Sequence, residues 1–301
     1  MSEPVLTTVT RTQGANQALK DGTVTPAGFS LEFEEIPVLV KGFRRMVRSL
    51  EFDVSEMALT TYLTAREHGV AFTALPIFLV RGFHHGAIRY NTRSGIRDPK
   101  DLEGRRVGVN RGYTVTTGVW ARGILASEYD VDLGRVTWVL SGDEHVASYV
   151  PPANVQPAEG DLAEMLINGE IDAVIGVDVD HPDVAPLIPD PEEAAIRALR
   201  DRAFYPINHL VVIKDEVLQR YPQVASAVFD AFTEAKQRYV AQLRDGSVTD
   251  RVYSRVLQTT GADPLPYGVE PNRAMLERLM EYARDQRILT RPVDIDQMFV
   301  A

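Results

Sequence analysis

The strongest constraint on the fold is a repeated succession of short apolar segments, each followed by a segment with helical spacing. Residues 105–125, "RRVGVNRGYTVTTGVWARGIL", read as a buried strand, a glycine turn and a helix. Residues 51–69 read as a short strand running into a helix, which Ser55 is placed to cap and Gly69 to end. This alternation of strand and helix patterns predicts an α/β protein with mainly parallel sheets covered by helices.

Two such α/β blocks are joined at "DPKDLEG" and "AFYPINH". We therefore expect two lobes, one formed by residues 1–103 with 207–301 and the other by residues 104–206. The predicted arrangement has a cleft between the lobes. Ligands of such sheets bind beyond the carboxyl ends of the strands, so the loops there are where chemistry is expected.

The composition narrows the classes of partner. A formal net charge of −10 argues against nucleic acid or an anionic membrane surface as the main partner. The chain has no cysteine, which excludes disulfides and thiol catalysis. Without a secretory leader pattern or an apolar membrane span, the sequence predicts a cytoplasmic protein. The amphipathic C-terminal helices fit either a homo-oligomer interface or a cover for the sheet.

The loop of residues 111–116 is a candidate anion site. A glycine turn that leads into a helix presents backbone N–H groups and the positive end of the helix dipole. Arginine and threonine side chains add donors that suit a carboxylate. The alternative is an ordinary helix start with a threonine cap. The candidate ligand contacts are Arg111, Gly112, Tyr113, Thr114 and Thr116.

Charged residues near other strand ends are further candidates. Arg11 and Arg81 both fall at or just beyond apparent strand ends, although solvated surface arginines are commoner. Asp53 lies among apolar residues, so it is expected to need a partner. A helix cap and a favourable first-turn acid would explain Ser55 and Glu56 without any function.

The histidines are consistent with two functions, metal binding and proton transfer. His84 and His85 are adjacent, and neighbours in an extended segment point to opposite faces, which disfavours joint chelation of one ion. A divalent metal shared with His209 or Asp53 is left as the alternative. A proton-transfer role needs a single imidazole. His209, beside Asn208, is the secondary candidate.

Four segments carry a resemblance to a known family: "LEFDVSEMALTTYL", "FHHGAIRYN", "GVNRGYTVTTGVWARGIL" and "YPINHLVVIKDEVL". They are similar to the 4,5-dihydroxyphthalate decarboxylases, whose fold resembles that of type II periplasmic solute-binding proteins. The resemblance runs from Arg11 to about Leu218. It implies removal of one carboxylate from 4,5-dihydroxyphthalate to give protocatechuate and CO2.

The positions that match the family lead us to a hypothesis for the roles of individual residues. His85 occupies the family's histidine position and would protonate the ring carbon that bears the carboxylate. Asp53 or Glu56 would contact the ring hydroxyl, while Arg11 and the loop of residues 111–116 would hold the retained carboxylate. At His84 and Gly86 the family pattern has arginine and serine, a departure that bears on the substrate.

The hypothetical reaction requires no organic cofactor, and the expected partner of the protein is its substrate, a small anionic aromatic acid. Two other functions are consistent with the same fold. One is a solute-binding protein that holds a small organic acid without chemistry, because a fold does not define a function. The other is a metal-assisted enzyme acting on a related phenolic acid.

Overall fold

A computed structural model describes residues 3–300 of the 301-residue chain. The chain folds into two compact units. Among the described residues, the first comprises 3–82, 207–277 and 293–300, and the second 83–206 and 278–292. None of the helices in residues 3–300 is both long and apolar enough to cross a membrane.

The first unit is built on a five-stranded mixed sheet whose third strand is buried along its whole length. Residues 210–213, "LVVI", are fully buried because the strand lies between two neighbours and is covered on both faces. In sheet order the strands are β2 (Ser30–Phe33), β1 (Val5–Val9), β3 (Val54–Ala58), β11 (Ile207–Lys214) and β4 (Phe72–Arg81).

Strand direction decides which side chains meet at one edge of this sheet. β1 pairs in parallel with β2 and β3, whereas β11 is antiparallel to both β3 and β4. The carboxyl ends of β1, β3 and β4 and the beginning of β11 therefore share one edge, which we call the carboxyl edge.

Helices cover the first sheet on both faces. The longest helix buries Val224, Val228 and Phe232 against strand residues that include Val54 and Val211. Burial of this apolar surface is the main stabilising contribution to the unit. The helices of the first unit are α1 (Gln17–Lys20), α2 (Leu39–Ser49), α3 (Leu59–Glu67), α7 (Asp215–Arg220), α8 (Val224–Asp245) and α9 (Arg251–Thr260).

The second unit has a six-stranded sheet with parallel pairing among four strands and antiparallel pairing at one side. In sheet order its strands are β10 (Val184–Pro186), β5 (Ile88–Asn91), β9 (Ala173–Ile175), β6 (Arg106–Val109), β7 (Thr137–Leu140) and β8 (Val155–Pro157). Its helices are α4 (Thr116–Tyr129), α5 (Leu162–Asn168) and α6 (Pro191–Arg202). Helix α10 (Arg273–Asp285) begins in the first unit and ends in the second.

The observed division differs from the lobe boundaries expected from the sequence in two places. Residues 83–103 lie in the second unit because β5 pairs with β9 and β10 of its sheet. Residues 278–292 join the same unit, where Tyr282 packs edge-on against Trp120 and Gln286 bonds to Arg122. The return to the first unit at residue 207 agrees with the expected boundary.

Candidate functional site

An acid, an imidazole and the loop after β1 meet at the carboxyl edge of the first sheet. Across the β3–β11 ladder, Val211 lies opposite Glu56 and His209 opposite Ala58. Glu56 and His209 are therefore diagonal neighbours on one face of the sheet, within reach of each other's side chains. Arg11 follows the end of β1 by two residues.

Glu56 is fully buried and binds both neighbours through its two carboxylate oxygens. Its Oε1 lies 2.6 Å from Nδ1 of His209, and its Oε2 accepts a 2.9 Å hydrogen bond from the backbone N–H of Arg11. A buried carboxylate is costly unless it is paired and hydrogen-bonded, and both conditions are met here. We call Glu56 and His209 the dyad.

The dyad fixes the direction of the imidazole. The His209 side chain is 20% exposed, and its ring stands edge-on to Phe43 with centroids 5.2 Å apart. With Nδ1 held by Glu56, the other ring nitrogen, Nε2, points away from the acid. An imidazole held in this way is suited to transfer a proton. Asn208 is adjacent in β11 and therefore points to the opposite face of the strand.

The prediction that Ser55 caps a helix and that Glu56 lies in its first turn is wrong. Both residues belong to strand β3, and helix α3 begins at Leu59. Pairing with β1 and β11 on either side outweighs the local capping pattern. The hydroxyl of Ser55 is buried and donates to the carbonyl oxygen of Glu56.

Asp53 lies at the other end of β3, away from the dyad. Its carboxylate accepts hydrogen bonds from the N–H and hydroxyl of Thr7 and pairs with Lys214 at 3.2 Å. The expected need for a partner is met by these groups. The structure thus separates Asp53 from Glu56, two acids that the sequence analysis treated as equivalent candidates.

Arg81 ends β4 at the carboxyl edge and is buried, although a solvated arginine was the commoner expectation. Its Nη1 donates a 2.7 Å hydrogen bond to the side-chain oxygen of Asn272. The amide nitrogen of Asn272 in turn donates to the carbonyl oxygens of Pro266 and Gly268. Asn272 was not predicted from the sequence, because its partner is 191 residues away along the chain.

In the second unit, the loop of residues 111–116 holds a carboxylate that belongs to the protein itself. Oxygens of Glu144 accept hydrogen bonds from the backbone N–H groups of Tyr113 and Thr114 and from the Thr114 hydroxyl, the last at 2.6 Å. A Cβ atom on Gly112 would lie 2.6 Å from a Glu144 oxygen, so a larger residue there would have to displace the Glu144 carboxylate. The donors of Tyr113 and Thr114 are therefore engaged by Glu144, and binding of a ligand carboxylate by this loop stays a prediction.

The remaining predicted members of this loop differ in exposure. Arg111 is exposed and adopts a left-handed backbone conformation with φ of 70°, while Thr116 is buried at the first position of α4. Glu144 follows β7 in a segment without regular periodicity. No spacing signal in the sequence indicated that it would return to this loop.

His85 is fully buried within the second unit. It begins a short 3-10 helix, its Nε2 lies 3.2 Å from Glu128, and its ring packs edge-on against Phe204. The other Glu128 oxygen binds Arg202 at 2.7 Å. Burial alone would raise the pKa of Glu128, but its hydrogen bonds to His85 and Arg202 and their charges lower it below the ordinary value.

Among the predicted site residues, direct contacts in the first unit bring together Arg11, Glu56 and His209. His85 makes its contacts within the second unit, and His84 is buried beside it. Within residues 3–300, no three histidine, aspartate or glutamate side chains are grouped so that they could hold a metal ion.

Comparison with known proteins gives two curated relatives, while no family model matches the chain. The chain is 28% identical over 280 residues to a protein of Comamonas testosteroni named 4,5-dihydroxyphthalate decarboxylase, covering 85% of this chain and 84% of the relative. It is 34% identical over 169 residues to a Pseudomonas putida protein of the same name, covering 51% of this chain and 65% of the relative. The family resemblance predicted from the sequence is confirmed.

Solved structures confirm the predicted periplasmic-binding-protein-like fold. The Escherichia coli periplasmic aliphatic sulphonate binding protein is 13% identical, with a TM-score of 0.55 and coverage of 98% of this chain and 97% of that one. A Candida albicans protein described as having the generic periplasmic binding protein fold is 13% identical, with a TM-score of 0.53 and coverage of 96% and 92%. A complex of DSZB with biphenyl-2-sulfinic acid is 16% identical, with a TM-score of 0.52 and coverage of 99% and 96%.

Proposed function

We propose that this chain, a relative of the 4,5-dihydroxyphthalate decarboxylases, is a carboxy-lyase. Its substrate is 4,5-dihydroxyphthalate or a close hydroxylated aromatic acid, and its products are protocatechuate or the matching phenol and CO2. The observation that carries the proposal is the buried Glu56 carboxylate, which binds the imidazole of His209 and the backbone of Arg11 at one sheet edge.

The chemistry of the substrate explains why an imidazole is needed. Direct loss of CO2 from an arene would leave an aryl anion in the ring plane, which the π system does not stabilise. Protonation of the ring carbon that bears the carboxylate avoids this anion. The hydroxyl para to that carbon releases electron density toward it, and CO2 then leaves with the ring restored to aromaticity. Net, one proton replaces one carboxylate.

We assign the proton transfer to His209 in preference to His85. His209 is partly exposed and oriented by a carboxylate, whereas His85 is fully buried and engaged by Glu128. Glu56 holds the Nδ1–H tautomer and stabilises the positive charge that the ring carries when protonated. Proton transfer by a positioned group is typically worth about 10²–10⁴-fold in rate. Positioning and electrostatic stabilisation supply the remainder.

Arg11 is the proposed contact for the carboxylate that stays on the ring. Its backbone is fixed to the dyad through Glu56, and its side chain is exposed at the carboxyl edge. A guanidinium can bind a carboxylate through two parallel hydrogen bonds. We do not assign this role to Tyr113 and Thr114, because Glu144 already accepts their N–H donors.

The proposed reaction uses no organic cofactor, since the para hydroxyl of the substrate itself supplies the electrons. A metal-assisted reaction is the alternative. Activity that is lost after chelation and restored by one divalent ion would favour it over the proposal.

The decisive experiment incubates the purified protein with 4,5-dihydroxyphthalate in D2O and follows CO2 release and the product by proton NMR. The proposal predicts stoichiometric CO2 and one deuterium at the carbon that had carried the carboxylate. Thermal stabilisation by the acid without turnover would instead indicate a solute-binding protein, the other function consistent with this fold.

A further inference from the structure

The hydroxyl of Tyr267 is a buried polar atom that has no hydrogen-bond partner among residues 3–300. The residue as a whole is partly exposed, but its hydroxyl oxygen is not. Buried hydroxyls are nearly always satisfied, since leaving one unpaired is costly. An exception in the unit that contains the dyad calls for an explanation in terms of a ligand.

The backbone around Tyr267 is fixed to the carboxyl edge of the first sheet. Asn272, itself buried, accepts from Arg81 at the end of β4 and donates to the carbonyl oxygens on either side of Tyr267, at Pro266 and Gly268. The N–H of Gly268 donates to Pro76 in the same strand. The position of Tyr267 is therefore set by the strand that ends at this edge.

The side-chain contacts that Tyr267 makes with residues 3–300 involve its ring, and they give its hydroxyl no hydrogen-bond partner. The ring lies beside Phe229, and the Lys236 ammonium is 5.0 Å from its centroid. Lys236 is itself paired with Asp263, so its charge is neutralised locally.

Tyr267 packs against the buried cluster that contains Val54 and Val211, and Val211 lies opposite Glu56 in the β3–β11 ladder. Burial raises the pKa of Tyr267 well above its ordinary value, and the nearby Tyr253, Asp263 and Glu56 raise it further. Burial also raises the pKa of Tyr253, to about 12, while a hydrogen bond from the backbone of Arg81 and the charges of Arg11 and Arg81 oppose the increase. The Tyr267 phenol therefore stays protonated and can act as a donor.

We propose that the Tyr267 hydroxyl recognises a ring hydroxyl of the aromatic acid substrate and so selects phenolic over unsubstituted acids. This inference rests on the proposed function, which it deepens. A neutral phenol can donate to and accept from another phenol. The negative charge of Glu56 disfavours a second carboxylate at this position, whereas it is compatible with an uncharged hydroxyl.

The test compares Tyr267→Phe with the wild type on two ligands that differ only in the ring hydroxyls. For 4,5-dihydroxyphthalate, kcat/KM is expected to fall about 3- to 10-fold. The inhibition constant of phthalate, which lacks the hydroxyls, is expected to stay unchanged. The melting temperature should stay the same or rise, because the substitution removes an unsatisfied buried group. Equal weakening of both ligands, or no weakening of either, overturns the proposal.

Tyr62→Phe is the matched control in the same unit. The Tyr62 hydroxyl is buried but satisfied, since it donates to the carbonyl oxygen of Met298 and accepts from the N–H of Ala74. Its removal should lower the melting temperature and leave the ratio between the two ligands unchanged. A drop in stability for Tyr267→Phe as large as that of the control would show that its hydroxyl has a structural partner, and would overturn the proposal.

The same variants separate this inference from the proposed function. If the wild type binds 4,5-dihydroxyphthalate without decarboxylating it, the proposed function fails. Calorimetric affinities for the two ligands then replace the kinetic constants, and a selective loss for the hydroxylated ligand still supports the role of Tyr267.

Discussion

Glutamine at position 56 would remove the charge of the buried acid while keeping its shape. The Glu56 carboxylate accepts two N–H groups, from His209 at 2.6 Å and from Arg11 at 2.9 Å. A glutamine side chain offers one oxygen and one NH2 group, so it can accept from only one of the two. Its NH2 group would then face the other N–H, unless the imidazole changes its tautomer.

The expected fall in kcat can be estimated from the strength of the hydrogen bond that the substitution removes. A hydrogen bond to a charged group is worth about 1.5–3 kcal/mol. At roughly 1.4 kcal/mol per factor of ten, Glu56→Gln is expected to lower kcat about 10- to 100-fold. KM should change less, because the acid binds His209 and does not bind the substrate directly.

Steady-state rates of CO2 release, measured with urea unfolding of the same preparations, separate this effect from misfolding. Asp215→Asn is the control, since that carboxylate accepts from Thr73 and pairs with Arg66 in the same unit. The control should lose stability and keep its rate. If folded Glu56→Gln turned over within about twofold of the wild type, the orienting role of Glu56 would be refuted.

Two further outcomes follow from the contacts of Arg11 and Glu128. Arg11→Ala should raise KM by roughly tenfold with a smaller effect on kcat, whereas an unchanged kcat/KM in steady-state assays would exclude Arg11 from the site. Since the folded protein lowers the pKa of Glu128, the ionised acid contributes stability above its ordinary pKa, and this contribution is lost as the pH falls through the lowered value. The free energy of unfolding in urea should therefore be lower for Glu128→Gln than for the wild type by about 1 kcal/mol or less at neutral pH, and this difference should disappear in acid. A difference that does not depend on pH would contradict this reasoning.

Local patterns in the sequence were sufficient to predict much of the secondary structure. The pattern of residues 105–125 forms strand β6 and helix α4, joined by the predicted glycine turn. These signals depend on periods of two and 3.6 residues, which are properties of short windows.

The dyad depends on pairing that a short window does not contain. Glu56 and His209 are 153 residues apart, and only the β3–β11 ladder makes them neighbours. Local capping preference placed Glu56 in a helix, because the serine and the acid before residues 57–63 match a helix start. The two flanking strands that override this preference are distant in sequence.

The carboxylate affinity of the loop at Thr114 was predictable, but its occupant was not. Turn glycines and helix-start N–H groups are recognisable locally. Glu144 reaches them from 30 residues away through an irregular segment. A sequence pattern can therefore indicate the chemistry of a loop without indicating which carboxylate it binds.

The central claim is that His209 delivers the proton that replaces the carboxylate. Its most direct test is single-turnover decarboxylation of 4,5-dihydroxyphthalate by the wild type, His209→Gln and His85→Gln. We predict a fall of at least about 100-fold for His209→Gln, with ligand binding retained, and a smaller change for a folded His85→Gln. Wild-type turnover by His209→Gln, or its loss only in a folded His85→Gln, would contradict the account.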